Sequence, residues 1–439
     1  MSPTLMQTNL PQQNPDWLQK INAGGQAVWR ATQWPTRKTE HWKYTSLRTL
    51  EQGAYLNNSG ILPAPEIQQA LRGAFQIDKL DAYCLVFVNG RYSALLSQAQ
   101  NLPDGVDLAT FAEASPTQLS LLQKYLGSVV ENDQHLFAAL NSQQLQDGVF
   151  LRVGKNVTLD KPLQVVSVTT PQVEAFQAPQ RLLVVLEPNA HATVIEQFVS
   201  DAQKQNGFIH SITELCLLGG ARCEHYRLHL EDAETLHLGG VHASLGRNAN
   251  LQSFHLALGS VLKRIDVVIN HNGEGAHCQL NGVYLPRLNQ HVDYHTCIEH
   301  RVPRCTTEEI FRGIIADSAR AVFNGRIHIH PGAQKTVAQL SNKNLLTSDK
   351  AEVDTKPELE IYADDVQCSH GATVAQLDDA AMHYFRTRGI SRQEAEAMLS
   401  FGFINELINV LPHPTLIDYL RPVLTQWFAR DPALVRHLI

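Results

Sequence analysis

The feature that most constrains how this chain can fold is a short turn signal that recurs through a long stretch of strand-like sequence. Between residues 150 and 375, one strand-like segment follows another with almost no helical spacing. Each turn places a turn-forming residue just before a small or apolar residue that opens the next strand, and the turns lie at residues 154–157, 187–190, 218–221, 246–249, 273–276, 316–319 and 330–333. The first five begin 27–33 residues apart, and the last two are less regular.

A weak repeat of this length in a region made only of strands predicts a β-solenoid, in which each coil stacks on the one before it. The alternative all-β fold is a large sandwich or barrel. A meander of that kind needs tight two-residue hairpin turns, which this region lacks. We therefore expect an all-β core built as a solenoid.

Helical sequence flanks this core on both sides. Residues 1–150 are predicted to form a mainly helical N-terminal domain, residues 151–375 the β-helix core and residues 376–439 a C-terminal helical domain. In the C-terminal domain, Ser391 and Glu394 form a capping box that starts a helix. That helix is apolar on more than one side as far as Leu411, so it must be buried by its own domain or by a partner.

The composition argues against nucleic-acid binding, membrane insertion and secretion. Lys and Arg number 36 against 43 Asp and Glu, a formal charge of -7, with no basic stripe for nucleic acid. The N-terminus lacks the basic start and apolar core of a signal peptide. The longest apolar runs, such as residues 83–88, are far too short to span a membrane. Seven cysteines, an odd number with no pairing pattern, argue against a disulfide framework. No CxxC occurs, which argues against a closed zinc site or a self-contained ferredoxin-type cluster. We expect a cytoplasmic protein.

The chain also lacks the short motifs of common enzyme classes. Residues 330–336 superficially resemble a phosphate loop, but Ile329 and Gln334 stand where its two glycines are required. Cys278 stands where a dinucleotide-binding motif starting at Gly273 needs its third glycine. Neither GxSxG nor HExxH occurs. The sequence therefore carries no recognisable ATPase, dehydrogenase, hydrolase or protease signature.

Histidine and cysteine are concentrated in the strand region. The clustered residues are His291, His295, Cys297, His300 and Cys305, followed by His328 and His330. Alternate residues of a strand share a face, so His328 and His330 could point the same way, and imidazole and thiolate suit iron, zinc or copper. The spacing shows no four-ligand set, so we expect histidines on a solvated strand face.

Cys368 and His370 form a sharper pair. They lie two residues apart at the end of the strand region, and in an extended strand they share one face. Their side chains could supply half of a metal site that another chain completes. The alternative is a buried cysteine beside a loop histidine.

Several segments resemble one known family. They are Cys368-Ser369-His370-Gly371-Ala372-Thr373, Tyr384-Phe385-Arg386-Thr387-Arg388-Gly389-Ile390, Asn342-Lys343-Asn344-Leu345-Leu346, Lys356-Pro357-Glu358-Leu359-Glu360-Ile361 and Pro35-Thr36-Arg37-Lys38-Thr39-Glu40-His41-Trp42-Lys43-Tyr44-Thr45. Together they closely resemble the SufB/SufD family of iron–sulfur cluster assembly proteins. SufB-type chains carry Glu-His-Glu where this chain has Ser369-His370-Gly371, so the resemblance is to the SufD branch.

The resemblance implies a right-handed parallel β-helix flanked by N-terminal and C-terminal helical domains. It implies a scaffold or accessory subunit and not an enzyme, paired with SufB through the β-helix edge. The ATPase SufC would dock on the C-terminal helical domain and supply ATP hydrolysis, and the chain alone could form a homodimer. His370 and Cys368 are the candidate metal ligands at the SufB interface, for a nascent cluster or iron shared with SufB. A reduced flavin is associated with the family's complex.

Two other functions stay open at this point. One is a SufB-type scaffold, in which the nascent cluster is chiefly built. The other is a β-helical enzyme acting on polysaccharides, such as a lyase or esterase. Such enzymes are typically secreted, and the missing signal peptide and the terminal helical domains argue against this function.

Overall fold

A computed structural model describes residues 14–57, 62–201 and 204–428 of the chain. Its centre is a pair of ten-stranded sheets that the chain visits alternately, coil after coil. Sheet I contains β1 (Leu56–Asn57), β4 (Val106–Thr110), β5 (Val149–Val153), β7 (Phe176–Leu186), β9 (Gly207–Leu217), β11 (Leu236–Leu245), β13 (Leu262–His271), β15 (His291–His300), β17 (Arg320–Ile329) and β19 (Glu352–Ile361). Sheet II contains β2 (Tyr83–Val88), β3 (Arg91–Tyr92), β6 (Leu163–Thr169), β8 (His191–Ser200), β10 (Arg222–His229), β12 (Asn250–Leu258), β14 (His277–Leu285), β16 (Thr306–Ile315), β18 (Val337–Leu346) and β20 (Gln367–Gln376).

The predicted β-solenoid is confirmed, because every strand from β5 to β20 pairs in parallel with the strand one coil before or after it. Apolar side chains from both sheets meet between them in one core that extends along the solenoid. The two ends of the solenoid differ. At the N-terminal end, antiparallel strands close the sheets: β4 pairs with β5, and β3 pairs with β2 across Asn89-Gly90, where both residues have positive φ.

The first five of the seven predicted turns have one structural cause. At the corner where the chain passes from sheet I to sheet II, one residue in each of seven successive coils adopts a left-handed conformation with φ between 53° and 74°; these residues are Asn156, Asn189, Gly220, Asn248, Gly275, Arg304 and Lys335. The backbone N–H of each donates to a carbonyl of the next coil, as from Asn189 to Gly219 at 2.9 Å. Asn and Gly tolerate this conformation, which is why the sequence shows them there.

The corner also explains why the later turns look irregular in the sequence. Arg304 and Lys335 take the left-handed conformation without being turn-forming residues, so the sequence signal is missing at Arg304 and lies too early, at residues 330–333, for Lys335. The turn at residues 316–319 belongs to the opposite corner, where Asp317 has φ 55° and joins sheet II to sheet I.

Helices cover the outer face of each sheet. The N-terminal helices are α1 (Asp16–Ala31), α2 (Arg48–Gln52), α3 (Pro65–Ala70), α4 (Arg72–Phe75), α5 (Pro116–Tyr125) and α6 (Leu136–Gln144), with a 3-10 turn at Glu40–Trp42. Helix α6 packs on sheet I, where Phe137 and Leu140 meet Phe208, Leu236 and Leu238. No helix in the described ranges is long and apolar enough to cross a membrane.

The C-terminal helices are α7 (Asp379–Thr387), α8 (Arg392–Asn409) and α9 (Pro414–Phe428). The capping box of Ser391 and Glu394 starts α8 as predicted. The apolar side chains of α8, including Ile404, Leu407 and Ile408, are buried against the outer face of sheet II together with residues of α9. Most apolar side chains of α8 are therefore covered by sheet II and α9 of the same chain.

Candidate functional site

The C-terminal end of the solenoid is open. Among the described residues, β19 pairs only with β17 and β20 only with β18, so one edge of each ten-residue strand carries no strand partner. Every residue of β20 is exposed except Cys368, which is half-buried. Pro357 lies within β19, a position that an edge strand tolerates because one side of the backbone makes no ladder hydrogen bonds. This last coil is the largest uncovered strand surface of the described chain.

Cys368 and His370 lie on this open coil. They are in register with Ala338 and Leu340 of β18, whose side chains belong to the core between the sheets. Both side chains therefore lie on the side of β20 that faces the solenoid axis. Because no further coil follows β20, His370 is exposed and Cys368 is only partly covered. Burial raises the pKa of the Cys368 thiol despite a backbone hydrogen bond from Ala338, so the free thiol stays protonated at neutral pH.

The histidines and cysteines of residues 291–305 do not share one surface. His291, His295 and Cys297 lie on the outer face of sheet I, whereas His300 and Cys305 are buried. The expectation of a solvated strand face is wrong for this segment, because N-terminal residues cover it. Thr45 lies 3.0 Å from Nε2 of His291, for example.

A pocket of about 480 Å³ lies between the N-terminal helical layer and sheet I. Its lining includes His41, His135, Arg264, Cys297 and Glu299. Burial raises the pKa of the Cys297 thiol to about 12, and the nearby carboxylate of Glu299 adds to this shift. Charges of both signs thus line the pocket, with a protonated thiol at its wall.

Inside the solenoid lies a buried polar network that the sequence analysis missed. Glu196 accepts hydrogen bonds from Arg227 (2.6 Å) and Thr213 (2.7 Å), and His225 lies 2.9 Å away. Burial alone would raise the pKa of Glu196, but the charge of Arg227 and the contact with His225 bring it down to about 2. The carboxylate is therefore ionised and fully paired within the core.

A second buried group continues this network. The Lys263 ammonium lies 2.7 Å from Oε2 of Glu231, and His237 contacts Oε1 of the same carboxylate. All three side chains are fully buried. A sequence signal existed for the network: on β10, His225 and Arg227 alternate with Tyr226 and Leu228. Such alternation is usually interpreted as polar residues facing solvent, yet here the polar row faces inward and the apolar row lies under the C-terminal helices.

Comparison with known proteins agrees with this architecture. A family model described as "SUF system FeS cluster assembly, SufBD core domain" matches residues 168–403, and another described as "SufBD protein N-terminal region" matches residues 6–165. The chain is 35% identical over 381 residues to the iron–sulfur cluster assembly protein SufD of Escherichia coli (strain K12), covering 86% of this chain and 85% of that protein.

Two further relatives come from Bacillus subtilis (strain 168). Its iron–sulfur cluster assembly protein SufD is 27% identical over 408 residues, covering 91% of both chains. Its SufB is 23% identical over 302 residues, covering 69% of this chain and 64% of SufB. The match to the SufD relative thus extends over more of the chain than the match to SufB.

Proposed function

The chain belongs to the SufBD family of iron–sulfur cluster assembly proteins, and on that basis we propose that it is a SufD-type scaffold subunit of a complex with SufB and SufC, and not a stand-alone enzyme. The observation that carries this proposal is the open last coil of the solenoid, which presents Cys368 and His370 on an uncovered strand surface.

The first element of the proposal is pairing with SufB at this coil. An unpaired strand edge exposes backbone N–H and C=O groups that another chain can satisfy, and natural proteins usually protect such edges. Ten extended residues of β20 span about 33 Å, long enough for an extensive strand-to-strand contact. Val374 on β20 and Tyr362 after β19 add exposed apolar surface, with 49% and 61% of their areas accessible.

The second element is a shared metal site in which the nascent cluster or iron is the cargo. Cys368 and His370 supply a thiol and an imidazole on one side of β20, both suitable ligands for iron. Iron–sulfur clusters are held by roughly four protein ligands, so SufB would contribute the others. Binding of the metal would displace the thiol proton of Cys368. A reduced flavin remains an expectation for the complex, with no residue of this chain assigned to it.

The third element is docking of SufC on the C-terminal helices. Because the apolar side of α8 is covered by sheet II, the docking surface must lie elsewhere on these helices. Helix α7 is the better candidate: Met382 is its only buried residue. Tyr384, with 57% of its area accessible, lies with Arg386 and Arg388 on its exposed surface.

Co-expression with SufB and SufC tests the assembly. We expect the three chains to co-purify as one species by light scattering, with iron and sulfide recovered after anaerobic reconstitution. Val374→Arg on β20 should release SufB, whereas the same substitution at the fully exposed Val173, outside β20, should not. A chain that stays alone in the presence of SufB, or a homodimer that SufB does not replace, would contradict the assignment.

A further inference from the structure

A second group of metal-binding side chains lies on the outer face of sheet I, on two neighbouring coils. Glu299 of β15 is in register with His328 of β17, and His330 follows immediately after that strand. Nδ1 of His328 lies 2.9 Å from Oε2 of Glu299, and Nε2 of His330 lies 2.7 Å from the same oxygen. One ligand atom from each of the three residues lies within 4.8 Å of the other two.

A fourth candidate ligand adjoins this group. The Sγ of Cys297, two residues before Glu299 on the same face of β15, lies 3.4 Å from Oε1 of Glu299. The ring of Tyr362 packs against His328 at 5.5 Å between centroids and forms one wall. Arg326, on the same strand as His328, is paired with Glu360 at 2.9 Å, which offsets part of its positive charge near the group.

The arrangement is more than an ordinary ion pair. The ring centroids of His328 and His330 are 4.1 Å apart, so two imidazoles, each with a ring nitrogen that can bind a metal, lie side by side at one carboxylate. The side chains of Glu299, His328 and His330 are 13%, 17% and 35% exposed, and Glu299 and Cys297 line the pocket beneath the N-terminal layer. An ion can therefore reach the group from solvent.

The distances are slightly shorter than those around a bound ion. Metal–ligand bonds of about 2.1 Å place neighbouring ligand atoms roughly 3–3.5 Å apart. The two imidazole nitrogens are 2.7 and 2.9 Å from the carboxylate oxygen, so small side-chain rotations would make room for an ion between them. Two imidazoles and one carboxylate that leave coordination positions of the metal open are typical of a non-haem Fe(II) site. A nearby thiol also makes the ligand set suitable for zinc and cobalt.

We propose that Glu299, His328 and His330 bind one divalent transition-metal ion, Fe²⁺ in the first place, with Cys297 as an additional sulfur ligand. These ligands lie on β15 and β17 of sheet I, whereas Cys368 and His370 lie on β20 of sheet II. The two ligand sets share no residue, and although Tyr362 lies beside both sites, titration of the chain without SufB tests this one by itself.

Titration of the full-length, metal-stripped protein under anaerobic conditions tests the site. With Co²⁺ as a spectroscopic probe, we expect about one equivalent to bind, with visible ligand-field bands and a near-ultraviolet sulfur-to-cobalt band. Fe²⁺ should compete for it. Glu299→Gln and His330→Gln should each weaken binding by at least about 100-fold, and Cys297→Ala should remove the sulfur band while leaving a weaker site.

A matched control is His383→Gln on the exposed surface of α7, which should leave the affinity unchanged. Circular dichroism and thermal melting establish that each variant is folded. His330, the most exposed of the three ligands, gives a variant that is expected to fold even if Glu299→Gln does not. Binding that is equally strong in folded His330→Gln and in His383→Gln, or an absence of stoichiometric Co²⁺ binding to the unaltered chain, would overturn the proposal.

Discussion

Cys368 and His370 lie on the same side of β20, each in register with a core residue of the preceding coil, yet no later coil covers them. We predict that His370→Ala leaves the assembly with SufB and SufC intact, since one side chain in a large interface rarely decides association. The iron and sulfide recovered with the complex should fall several-fold, because an imidazole ligand is lost. Metal and sulfide analysis after size-exclusion chromatography measures this.

Ser369→Ala is the matched control, because Ser369 is exposed on the opposite side of the same strand. It should retain the full cluster content. If His370→Ala carries as much iron and sulfide as the unaltered complex, His370 has no role as a ligand.

The open edge of β20 leads to a second prediction. Its backbone amides should exchange slowly with solvent once SufB pairs with the strand, because the free edge then gains hydrogen bonds. Hydrogen exchange with mass spectrometry of residues 366–376 measures the change on adding SufB. The turn at residues 171–175, outside the last coil, serves as an internal reference and should not change. Unchanged exchange in β20 in a complex that demonstrably forms would exclude strand pairing there.

The exposed surface of α7 gives a third prediction. Tyr384→Ala combined with Arg386→Glu should reduce capture of SufC at least about tenfold, because aromatic and arginine side chains dominate many interfaces. Both side chains are exposed, so the melting temperature should stay unchanged. Ile67→Ala, an equally exposed apolar residue on α3, is the control. Full SufC capture by the α7 variant would move the docking surface to another part of the chain.

A buried ion pair beneath the N-terminal helices gives a fourth prediction. The guanidinium of Arg181 lies 2.5 Å from Oε1 of Glu214, both side chains are fully buried, and the backbone N–H of Gly127 also donates to Glu214 at 2.9 Å. Glu214→Ala leaves a buried positive charge unpaired, and we expect a loss of about 3–5 kcal/mol in the free energy of unfolding. Urea denaturation followed by fluorescence measures it.

The control for this substitution is Glu352→Ala, which breaks the 3.0 Å pair with Arg320 at the protein surface. Exposed pairs contribute little, so the denaturation midpoint should hardly move. Equal effects of the two substitutions would show that the buried pair is not a main source of stability.

The buried carboxyl group of Glu309 gives a prediction about pH. It lies on β16 between Leu280 and Leu340 of the adjacent strands, and within the described residues neither of its oxygens makes a hydrogen bond of good geometry. Burial raises the pKa of Glu309 from 4.5 to about 7. The Thr296 hydroxyl lowers the pKa, but by less than burial raises it.

Between pH 4.5 and 7 the folded chain therefore holds a proton at Glu309 that the unfolded chain has lost. The free energy of unfolding must fall as the pH rises through this window, and above it the cost is on the order of 3 kcal/mol. Glu309→Gln should stabilise the protein by an amount of this order at pH 8 and hardly at all near pH 4.5. Glu308→Gln, on the exposed side of the same strand, should show no such pH dependence.

Much of the architecture followed from local sequence. The turn repeat predicted the solenoid because successive coils place a left-handed residue at the same corner, and Asn and Gly supply it most readily at Asn189, Gly220 and Asn248. The capping box at Ser391 likewise predicted where α8 begins, since its hydrogen bonds join residues only three positions apart. The same local reasoning failed at Arg304 and Lys335, where contacts between coils impose the left-handed conformation on residues that do not favour it.

The sequence by itself determined the stacked strands, the terminal helices and the placement of Cys368 and His370 on one face of the same strand. Each of these features depends on residues close together in the chain. Only the tertiary structure decided which face of each strand points inward. On β10 it buried Arg227 and turned Leu228 toward the C-terminal helices. It also brought Glu299 to His328 and His330 across 29 and 31 residues of sequence, because parallel coils place residues one full turn apart side by side. Such contacts arise from the register between coils, and no local pattern encodes them.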